Sequence, residues 1–485
     1  MPEPIAPSVA IVGGGIAGLM AARALVDDAA SVKITLIERN DYWGGRIQKA
    51  AAIGSKSGDA KQHYLELGAE TVHGGRTPLT ELIAELFPSD VLEDIFIVSH
   101  ADGGPSSQPT ATTGECGVYY MNGTVYHFDD ERLRPLRKAL DGIGVDKCTN
   151  MDPNVSVGDY LSSSLDDDAL GSLAVASFGN TVGCTDLSLI SLSMWARFEA
   201  WWEENEEEGD FHFSRGMHSI VERLVEELEV PANDAVVSLQ RDTEVVEISE
   251  ASAGQVQLVL RPLTSQTCAN TITATFDAVI VTVPPHRWPR LLPDLMTPAK
   301  REAVEFVGME IATKVIIAFR NRVWPGNISC LVSADHLIPE LWFRELEPNA
   351  LYVAVGFLTS GAAKAFDDAI KRDLDESIDD FEVRWKHRAT EIVVTQLSEI
   401  FGTSREAAFH QVISSGTRLF TWDDGGYMYP KVGMQPHHFH AMAAPTKHVF
   451  FSGEATHAGA CMTVQAAISS GSRAAQEVLA CLQST

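Results

Sequence analysis

A glycine-rich turn near the N-terminus constrains the fold of this 485-residue chain more than any other feature. Gly13, Gly15 and Gly18 follow a short apolar, β-branched run, Ser8–Val12, and precede an apolar-periodic segment, residues 16–26. This pattern predicts a strand, a tight glycine turn and a helix in immediate succession. A strand that enters a helix through such a turn typically opens a parallel α/β sheet.

A second apolar run and the acid that follows it fit the same unit. The run Lys33–Ile37 predicts the next strand, and Glu38 comes directly after it. Glycines let backbone N–H groups approach a pyrophosphate at the positive end of a helix, and a carboxylate at the position of Glu38 can accept hydrogen bonds from ribose hydroxyls. Glycines also end elements for structural reasons alone, but the correctly placed acid favours dinucleotide binding.

The composition argues against several classes of function. Hydrophobic residues make up 45% of the chain and charged residues 21%, which is an ordinary globular mixture. Because 37 Lys and Arg stand against 66 Asp and Glu, the net charge is -29 and we expect no nucleic-acid partner. The acidic surface either attracts cationic ligands or only aids solubility, and the sequence leaves both explanations open. We interpret the acidic segment 201–210 as a solvated face or loop.

Cysteine usage and hydropathy indicate the environment of the protein. The seven cysteines are scattered, odd in number and never in Cys-x-x-Cys spacing, so neither a disulfide framework nor a zinc site is expected. The N-terminus lacks a basic signal-peptide region, and no apolar stretch is long enough to span a bilayer. We therefore expect a soluble, cytoplasmic protein without a metal site, signal peptide or membrane partner. No pattern indicates the oligomeric state.

The residues after Glu38 indicate which dinucleotide binds. They read RNDYWGGR and end in Gly45 and Arg46, which resembles the second glycine motif that FAD enzymes place, with its arginine, against the pyrophosphate. Through this motif and the blocks described next, the chain resembles the flavin-containing amine oxidase family. That family includes monoamine oxidases, polyamine oxidases and lysine-specific histone demethylases. The resemblance implies FAD as the cofactor.

Further blocks that resemble the family follow in the expected order between residues 11 and 473. They are a loop that passes the flavin ring (65–74, LELGAETVHG), a Gly-Met helix start (214–224), a strand that reads adenine (243–248), a strand that ends in Val-Pro (277–284), the strand with the family lysine (311–324) and the closing flavin motif (450–471). The resemblance implies that FAD is bound by Gly13, Gly15, Gly18, Glu38, Gly45, Arg46, Gly68, Ala69, Val245, Gly453, Glu454, Thr463 and Val464.

The order of these blocks predicts an α/β fold, α+β overall. A Rossmann-like FAD-binding domain is expected to interleave with a substrate-binding domain of mixed sheet and helices. The strand, glycine turn and helix of the first unit return near the C-terminus, at residues 448–482. We expect the FAD-binding domain in residues 1–90, 211–300 and 436–485. The substrate-binding domain is expected in residues 91–210 and 301–435.

Two positions depart from the monoamine oxidases. Those enzymes carry a flavin-linking cysteine where this chain has Gly426, and a second cage tyrosine where it has Thr463. Both features resemble the polyamine oxidases and the demethylases, and the chain has no room for the extra parts of the demethylases. The resemblance thus implies non-covalent FAD and an amine-holding cage with Trp422, Tyr427 and Thr463. An aromatic wall of this kind attracts a cation or orients a neutral amine.

His73 and the segment HHFH, residues 437–440, each have two interpretations. A lone histidine on a loop is usually a structural hydrogen-bonding residue, but the resemblance places His73 at the substrate nitrogen. The HHFH segment superficially suggests a metal site. Because no further ligands stand at a suitable spacing, we expect it to be a surface loop.

Lys314 is the residue that the resemblance makes catalytic. The resemblance implies that the ammonium of Lys314 holds a water at the flavin and favours electron transfer to dioxygen. The structural alternative is a strand lysine that extends its ammonium to the solvent. The implied reaction oxidises a C–N bond of an amine to an imine, with dioxygen as the acceptor and hydrogen peroxide as the product. A polyamine is one candidate substrate.

Three alternatives stay open at this stage. An L-amino-acid oxidase would need an arginine near the flavin loop to hold the substrate carboxylate, and Arg76 keeps this alternative open. A desaturase or porphyrinogen-type oxidase uses the same flavin fold, although Lys314 with Trp422 and Tyr427 argues against it. A non-catalytic flavoprotein would be expected to have lost Lys314 or Glu454, and the chain has both.

Overall fold

A computed structural model describes most of the chain. The described residues are 6–28, 32–49, 65–89, 92–94, 116–144, 146–205, 209–231, 235–263, 271–346, 351–372, 380–413 and 416–483. Within them the strands are β1 Ser8–Val12, β2 Lys33–Ile37, β3 Thr71–His73, β4 Leu92–Asp94, β5 Cys116–Met121, β6 Thr124–His127, β7 Asp210–Phe213, β8 Val236–Gln240, β9 Thr243–Glu250, β10 Val256–Pro262, β11 Ile272–Phe276, β12 Ala278–Val281, β13 Val307–Met309, β14 Ala312–Phe319, β15 Ile328–Ser333, β16 Glu340–Leu346, β17 Leu351–Thr359, β18 Arg418–Trp422, β19 Met428–Pro430 and β20 Val449–Phe451.

The α-helices of the described residues lie between and after these strands, singly or in runs. They are α1 Ile16–Asp28, α2 Pro78–Leu86, α3 Arg134–Asp141, α4 Asp146–Thr149, α5 Val157–Ser164, α6 Asp168–Ala174, α7 Leu192–Asn205, α8 His218–Glu229, α9 Trp288–Leu291, α10 Pro298–Glu305, α11 Ser360–Arg372, α12 Phe381–Phe401, α13 Arg405–Gln411, α14 Pro436–Ala443 and α15 Val464–Gln483. The longest, α12, begins at Asp380, whose side chain accepts from the N–H groups of Glu382 and Val383, and ends at left-handed Gly402. Both are standard helix-end devices.

A five-stranded parallel sheet confirms the predicted α/β core. Its order is β20-β12-β1-β2-β8, so β1 lies at the centre between β2 and β12. Alternate residues of β1 pack on opposite sides: Val9 and Ile11 contact α1, α8 and α15, whereas Ala10 and Val12 join a separate core cluster. A sheet covered on both faces requires the continuous apolar runs that identified these strands in the sequence.

A seven-stranded mixed sheet forms the second layer of the molecule. Its order is β18-β14-β17-β16-β15-β5-β6, and only the β15–β5 pair is parallel. One face, which includes Val315 and Ile317 of β14, packs against α11 and α12. Because side chains alternate along a strand, Ala312, Lys314 and Ile316 point to the opposite face. That face borders the cavity described below.

Smaller sheets join distant segments. Strands β9, β10 and β11 form an antiparallel sheet, β13 pairs with β19, and β7 pairs with both β3 and β4. The parallel sheet draws its strands from residues 8–37, 236–240, 278–281 and 449–451, and the seven-stranded sheet from residues 116–127 and 312–422.

The expectation of a surface loop at residues 437–440 is wrong. This segment lies in α14, which starts at Pro436, and His438 is buried with its ring stacked on Phe306 at 4.6 Å and 11°. Phe439 and Met442 are also buried, so their helical spacing anchors the segment. In the described residues, no group of three or more His, Cys, Asp or Glu could hold a metal ion. None of the described helices is long and apolar enough to cross a membrane.

Candidate active site

A cavity of about 1490 Å³ lies where the carboxyl ends of the parallel strands meet the open face of the seven-stranded sheet. Ligands of parallel α/β sheets typically bind at the carboxyl ends of the strands. The cavity exceeds the usual volume of a small-ligand pocket, about 300–1,000 Å³. Every residue predicted to bind cofactor or substrate lines this cavity except Gly18.

The three positions of the first motif require glycine for different structural reasons. A Cβ at Gly18 would lie 2.0 Å from the carbonyl oxygen of Gly13, and one at Gly13 would lie 2.5 Å from Oγ1 of Thr282. These two glycines are therefore required by packing inside the protein. A Cβ at Gly15 would meet only the carbonyl oxygen of Gly44, at 4.0 Å, so this backbone faces open space. Gly15 is the glycine that allows close approach of a ligand to the start of α1.

Glu38 is fixed at the end of β2 by two backbone donors. Its Oε2 accepts from the N–H of Gly14 at 2.7 Å, and its Oε1 accepts from the N–H of Asn40 at 2.8 Å. The residue is 7% exposed, and its burial raises the pKa of the carboxyl. A carboxylate has further lone pairs, so the same oxygens can accept from the hydroxyls of a ligand in the cavity.

Arg46 and Glu454 connect the second glycine motif to the closing motif. Nη1 of Arg46 donates to Oε1 of Glu454 at 3.0 Å and to the carbonyl oxygen of Gly426 at 2.9 Å. Glu454 is 4% exposed, and its Oε2 accepts from the N–H of Met462 at 2.9 Å. Guanidinium has five N–H donors in total. The ion pair therefore orients Arg46 within the cavity wall and keeps donor capacity for an anionic ligand.

The N-terminus of α15 also faces the cavity. Oγ1 of Thr463 accepts from the N–H of Ala466 at 3.2 Å and donates to the carbonyl oxygen of Ala460 at 2.6 Å, so its hydroxyl caps the helix. Val464 and Gln465, at the start of α15, line the cavity. With α1, two helix N-termini thus present positive dipole ends to the same space.

These features fit a dinucleotide with a flavin ring. Two helix N-termini and Arg46 suit the pyrophosphate, Glu38 suits a ribose, and the open backbone at Gly15 leaves room for close approach. A further sign is the indole N–H of Trp422, which is buried and has no hydrogen-bond partner among the described residues. Buried donors normally have a partner, so this donor points to a missing ligand.

Lys314 lies on the cavity face of β14, in register with Phe420 of β18 and Phe357 of β17. Its ammonium donates to the carbonyl oxygens of Glu66 at 2.9 Å and Gly68 at 3.2 Å, and to the carboxylate of Glu70. An ammonium has three donors. All of them are therefore taken by the loop 66–70, and the holding of a water by Lys314 stays a prediction.

Glu70, Arg344 and His212 were not among the residues predicted from the sequence. Arg344 donates to Glu70 from Nη1 at 2.9 Å, and Nδ1 of His212 lies 4.0 Å from the same carboxylate. Burial acts to raise the pKa of Glu70, but Lys314, His212 and Arg344 together lower it to about 2. In the sequence, Glu70 and Arg344 appear only as polar residues within the apolar runs LGAETV and LWFREL, and His212 appears only as a histidine between two phenylalanines.

His73 pairs with Asp210 across two strands. The two residues are directly opposite in β3 and β7, and Nδ1 of His73 lies 2.6 Å from Oδ1 of Asp210. Asp210 is 8% exposed, and the nearby Glu203 lines the cavity. The interpretation of residues 201–210 as a solvated face is therefore wrong at Asp210, whereas Glu203 and Glu204 are exposed and residues 206–208 lie outside the described residues. When the neutral ring donates from Nδ1 to Asp210, Nε2 is its acceptor nitrogen.

Aromatic rings form one wall of the cavity. Trp422 contacts Phe420 with ring centres 4.6 Å apart, and both residues line the cavity. Tyr427 lies on the same wall, and its hydroxyl donates to the carbonyl oxygen of Thr181. Burial and the nearby Glu340 raise the pKa of Tyr427, so its hydroxyl is neutral in the folded protein. This arrangement offers flat apolar faces to an amine.

Glu340 places a buried carboxylate beside this wall. It is 2% exposed, and its Oε2 accepts from Nδ2 of Asn180 at 3.0 Å and from Oγ1 of Thr181 at 3.3 Å. Asn180 follows a π-helical turn, Val175–Gly179, a distortion that is frequent at functional sites. Sequence reasoning did not identify Glu340. Arg76, in contrast, is 73% exposed in its side chain, pairs with Glu81 at 3.7 Å, and is not a cavity residue.

Comparisons with known proteins agree with this geometry. The sequence pattern of the family described as flavin containing amine oxidoreductase matches residues 16–479. Polyamine oxidase 2 of Arabidopsis thaliana is 24% identical, over 97% of this chain and 88% of the relative. The peroxisomal N(1)-acetyl-spermine/spermidine oxidase of Homo sapiens is 24% identical, over 98% of this chain and 95% of the relative. A solved wild-type putrescine oxidase bound to putrescine superposes with a TM-score of 0.72 at 17% identity, over 98% of this chain and 99% of that chain.

Proposed function

The chain belongs to the family of flavin containing amine oxidoreductases, and on this premise we propose that its substrate is a diamine or polyamine. The enzyme is an FAD-dependent amine oxidase that converts a C–N bond to an imine, with dioxygen as the acceptor and hydrogen peroxide as the product. The amino-acid oxidase, the desaturase and the non-catalytic flavoprotein are not favoured. Arg76, on which the first of these depended, is not a cavity residue.

The buried carboxylate of Glu340 carries the proposal of a substrate with more than one amine. It lies on the wall that holds Tyr427, so a chain molecule with one nitrogen at the aromatic faces can place a second ammonium near it. Glu199 and Glu203 of α7 line the cavity as well. Carboxylates around an apolar channel complement a polycation. The relatives named polyamine oxidase 2 and N(1)-acetyl-spermine/spermidine oxidase support the same substrate class.

The residues of this chain have the following proposed roles. FAD, when bound, supplies the acceptor for the electrons of the amine. Trp422 and Tyr427 orient the reacting amine between their rings, and Thr463 borders this space from the start of α15. His73, oriented by Asp210, accepts a proton from the substrate ammonium at Nε2, because only the neutral amine is oxidised.

The glycines and charged groups of the cavity wall are proposed to hold the cofactor. Gly13, Gly15 and the start of α1 bind the pyrophosphate with Arg46, Glu38 binds a ribose, and Glu454 binds the ribityl chain. Gly18 is proposed to act indirectly: it packs against Gly13 and does not contact the cofactor. The remaining backbone contacts are proposed for Gly45, Gly68, Ala69, Val245, Gly453 and Val464.

Non-covalent attachment of FAD is part of the proposal. Gly426 supplies no thiol at the position where the monoamine oxidases carry theirs. Cys461 does line the cavity, but it is buried, and its burial raises the pKa of the thiol well above its ordinary value. A neutral buried thiol is a poor nucleophile.

Domain division and location complete the proposal. We assign residues 1–90, 211–300 and 436–485 to the FAD-binding domain and residues 91–210 and 301–435 to the substrate-binding domain, since each large sheet draws its described strands from one of these sets. We propose a soluble, cytoplasmic enzyme without a nucleic-acid partner. No disulfide joins the six described cysteines, as is typical of a reducing compartment, and the -29 charge repels nucleic acid.

A peroxide assay over a panel of amines tests the substrate class. We expect the highest kcat/KM for putrescine, spermidine or spermine, with lower values for monoamines and L-amino acids. Glu340→Gln should raise KM for a diamine by roughly tenfold, on the scale of a lost charged contact, and should change KM for a monoamine little. Glu345→Gln is the matched control, because Glu345 points to the other face of β16 and pairs with Arg322. A preference for monoamines or amino acids in the wild type would contradict the proposal.

A further inference from the structure

A buried cluster of charges lies on the cavity face of the seven-stranded sheet, and the proposed function uses only part of it. Glu70 accepts hydrogen bonds from Lys314 and Arg344, which come from β14 and β16. The side chains of Glu70, Lys314 and Arg344 are 14%, 8% and 25% exposed. One carboxylate therefore bridges two cations that belong to different strands.

The same cluster holds a loop in place. Besides Glu70, the ammonium of Lys314 contacts the carbonyl oxygens of Glu66 and Gly68 at 2.9 and 3.2 Å. Three points of the loop 66–70 are thus fixed to one side chain of the sheet. Gly68, Ala69 and Glu70 of this loop line the cavity. The position of the cavity wall here depends on the ion pair.

The net charge of the cluster is set by Glu70. Burial, followed by the charge of Arg344, lowers the pKa of His212 to about 3, so this ring is neutral near pH 7. Glu70 is ionised because its pKa is lowered to about 2. Two cations and one anion leave one positive charge. Removal of Glu70 would leave two cations in a buried site without a counterion, which is costly.

We infer that Glu70 is a positioning residue of the flavin site: it holds Lys314 against the loop 66–70 and cancels one of the two positive charges that this sheet face presents. The inference rests on the proposed function, because it takes Gly68, Ala69 and Lys314 to border FAD. A single remaining positive charge favours electron flow from the amine into the cofactor and onward to dioxygen, where negative charge develops.

Sulfite titration of the FAD-loaded protein tests the charge balance without substrate. Sulfite is an anion that adds to oxidised flavins and bleaches their absorbance, so its Kd reports local positive charge. Glu70→Gln raises the cluster charge by one and should lower the sulfite Kd at pH 6 by roughly tenfold. Arg344→Gln lowers the charge by one and should raise the Kd by roughly the same factor. The double variant should return to within about threefold of the wild type.

A shorter carboxylate gives a second readout, because it separates the charge of Glu70 from its position. Glu70→Asp keeps the charge and shortens the side chain. It should retain the wild-type sulfite Kd while lowering kcat severalfold, because Lys314 and the loop are no longer held in register.

The controls separate this inference from the proposed function. Glu345→Gln removes a carboxylate next to Arg344 that faces away from the cavity, and it should leave the sulfite Kd within about twofold. Wild-type protein without a flavin spectrum contradicts the proposed function. Flavin-loaded protein in which Glu70→Gln and Arg344→Gln both leave the Kd unchanged overturns only the role of Glu70. If Glu70→Gln does not fold, an unchanged sulfite Kd in Arg344→Gln is sufficient to overturn the role of Glu70.

Discussion

Replacing Lys300 by methionine should change how the stability of the enzyme depends on pH. The side chain of Lys300, in α10, is 0% exposed. Its Nζ donates to the carbonyl oxygens of Ala441 at 2.7 Å, Met442 at 2.7 Å and Ala444 at 2.8 Å, at the C-terminal end of α14. The ammonium also lies 3.7 Å from the ring centre of Phe451. On folding, the ammonium of Lys300 therefore loses its contacts with water and gains contacts with three fixed carbonyl oxygens and an aromatic ring.

The magnitude follows from the change in the pKa of this lysine on folding. Burial, and then the charge of Arg473, lower the pKa of Lys300 from 10.5 to about 7. Between these two values the unfolded chain binds a proton that the folded chain does not bind. The free energy of unfolding therefore rises with pH by about 1.4 kcal/mol per unit, or about 4 kcal/mol from pH 7 to pH 10. Below pH 7 both states are protonated, and this slope disappears.

Urea unfolding at a fixed excess of FAD measures the effect. Because methionine cannot titrate, only the wild type gains stability along this slope. We therefore expect the free energy of unfolding of the wild type minus that of Lys300→Met to rise with pH above pH 7. Lys364→Met is the matched control: Lys364 is 60% exposed in its side chain and pairs with Glu310 at 2.7 Å, so its removal should give only a small difference in stability. A constant difference between wild type and Lys300→Met from pH 6 to pH 10 would refute the reasoning.

Further predictions concern the cofactor and the substrate path. Acid precipitation of the yellow holoenzyme should release all the flavin into the supernatant, and flavin that stays with the pellet would contradict non-covalent binding. Because Glu199 and Glu203 line the cavity, kcat/KM for a polyamine should fall as salt rises while kcat changes little; a flat salt profile would leave solubility as the explanation of the acidic charge. Lys314→Met should keep FAD bound and slow the reaction of reduced enzyme with dioxygen by roughly 10²-fold, as rapid mixing would show, and an unchanged rate would remove Lys314 from this step. Asp210→Asn should lower kcat/KM by roughly tenfold, since His73 loses the carboxylate that orients it; an unchanged kcat/KM would contradict this role.

The dinucleotide unit could be predicted from the sequence because its signals are local. Strands β1 and β2 have the predicted bounds, and α1 ends two residues beyond the predicted helix. Gly18 and Glu38 are required by contacts within about 25 residues, with Gly13 and Gly14 respectively, whereas Gly13 also packs against the distant Thr282. Glycine turns, apolar runs and helix ends act over such short spans, so a single sequence displays them.

The family resemblance extended the prediction to distant blocks, but only for positions with a matching motif. Lys314, Tyr427 and Glu454 were placed in the cavity in this way. It did not reveal what these residues contact. The expected water at Lys314 competes with three acceptors of the loop 66–70, and the hydroxyl of Thr463 caps α15.

Only the tertiary structure brought together the charged groups that surround the proposed substrate site. Glu70 and Arg344 are 274 residues apart in the chain, Asn180 and Glu340 are 160 apart, and His73 and Asp210 are 137 apart. Each pair depends on the position of β16 or β7 in its sheet, and the Asn180–Glu340 pair depends also on the π-helical turn that precedes Asn180. A carboxylate in an apolar run is recognisable in the sequence, but whether it meets a cation, an amide or water is decided by the segment that folding places opposite it.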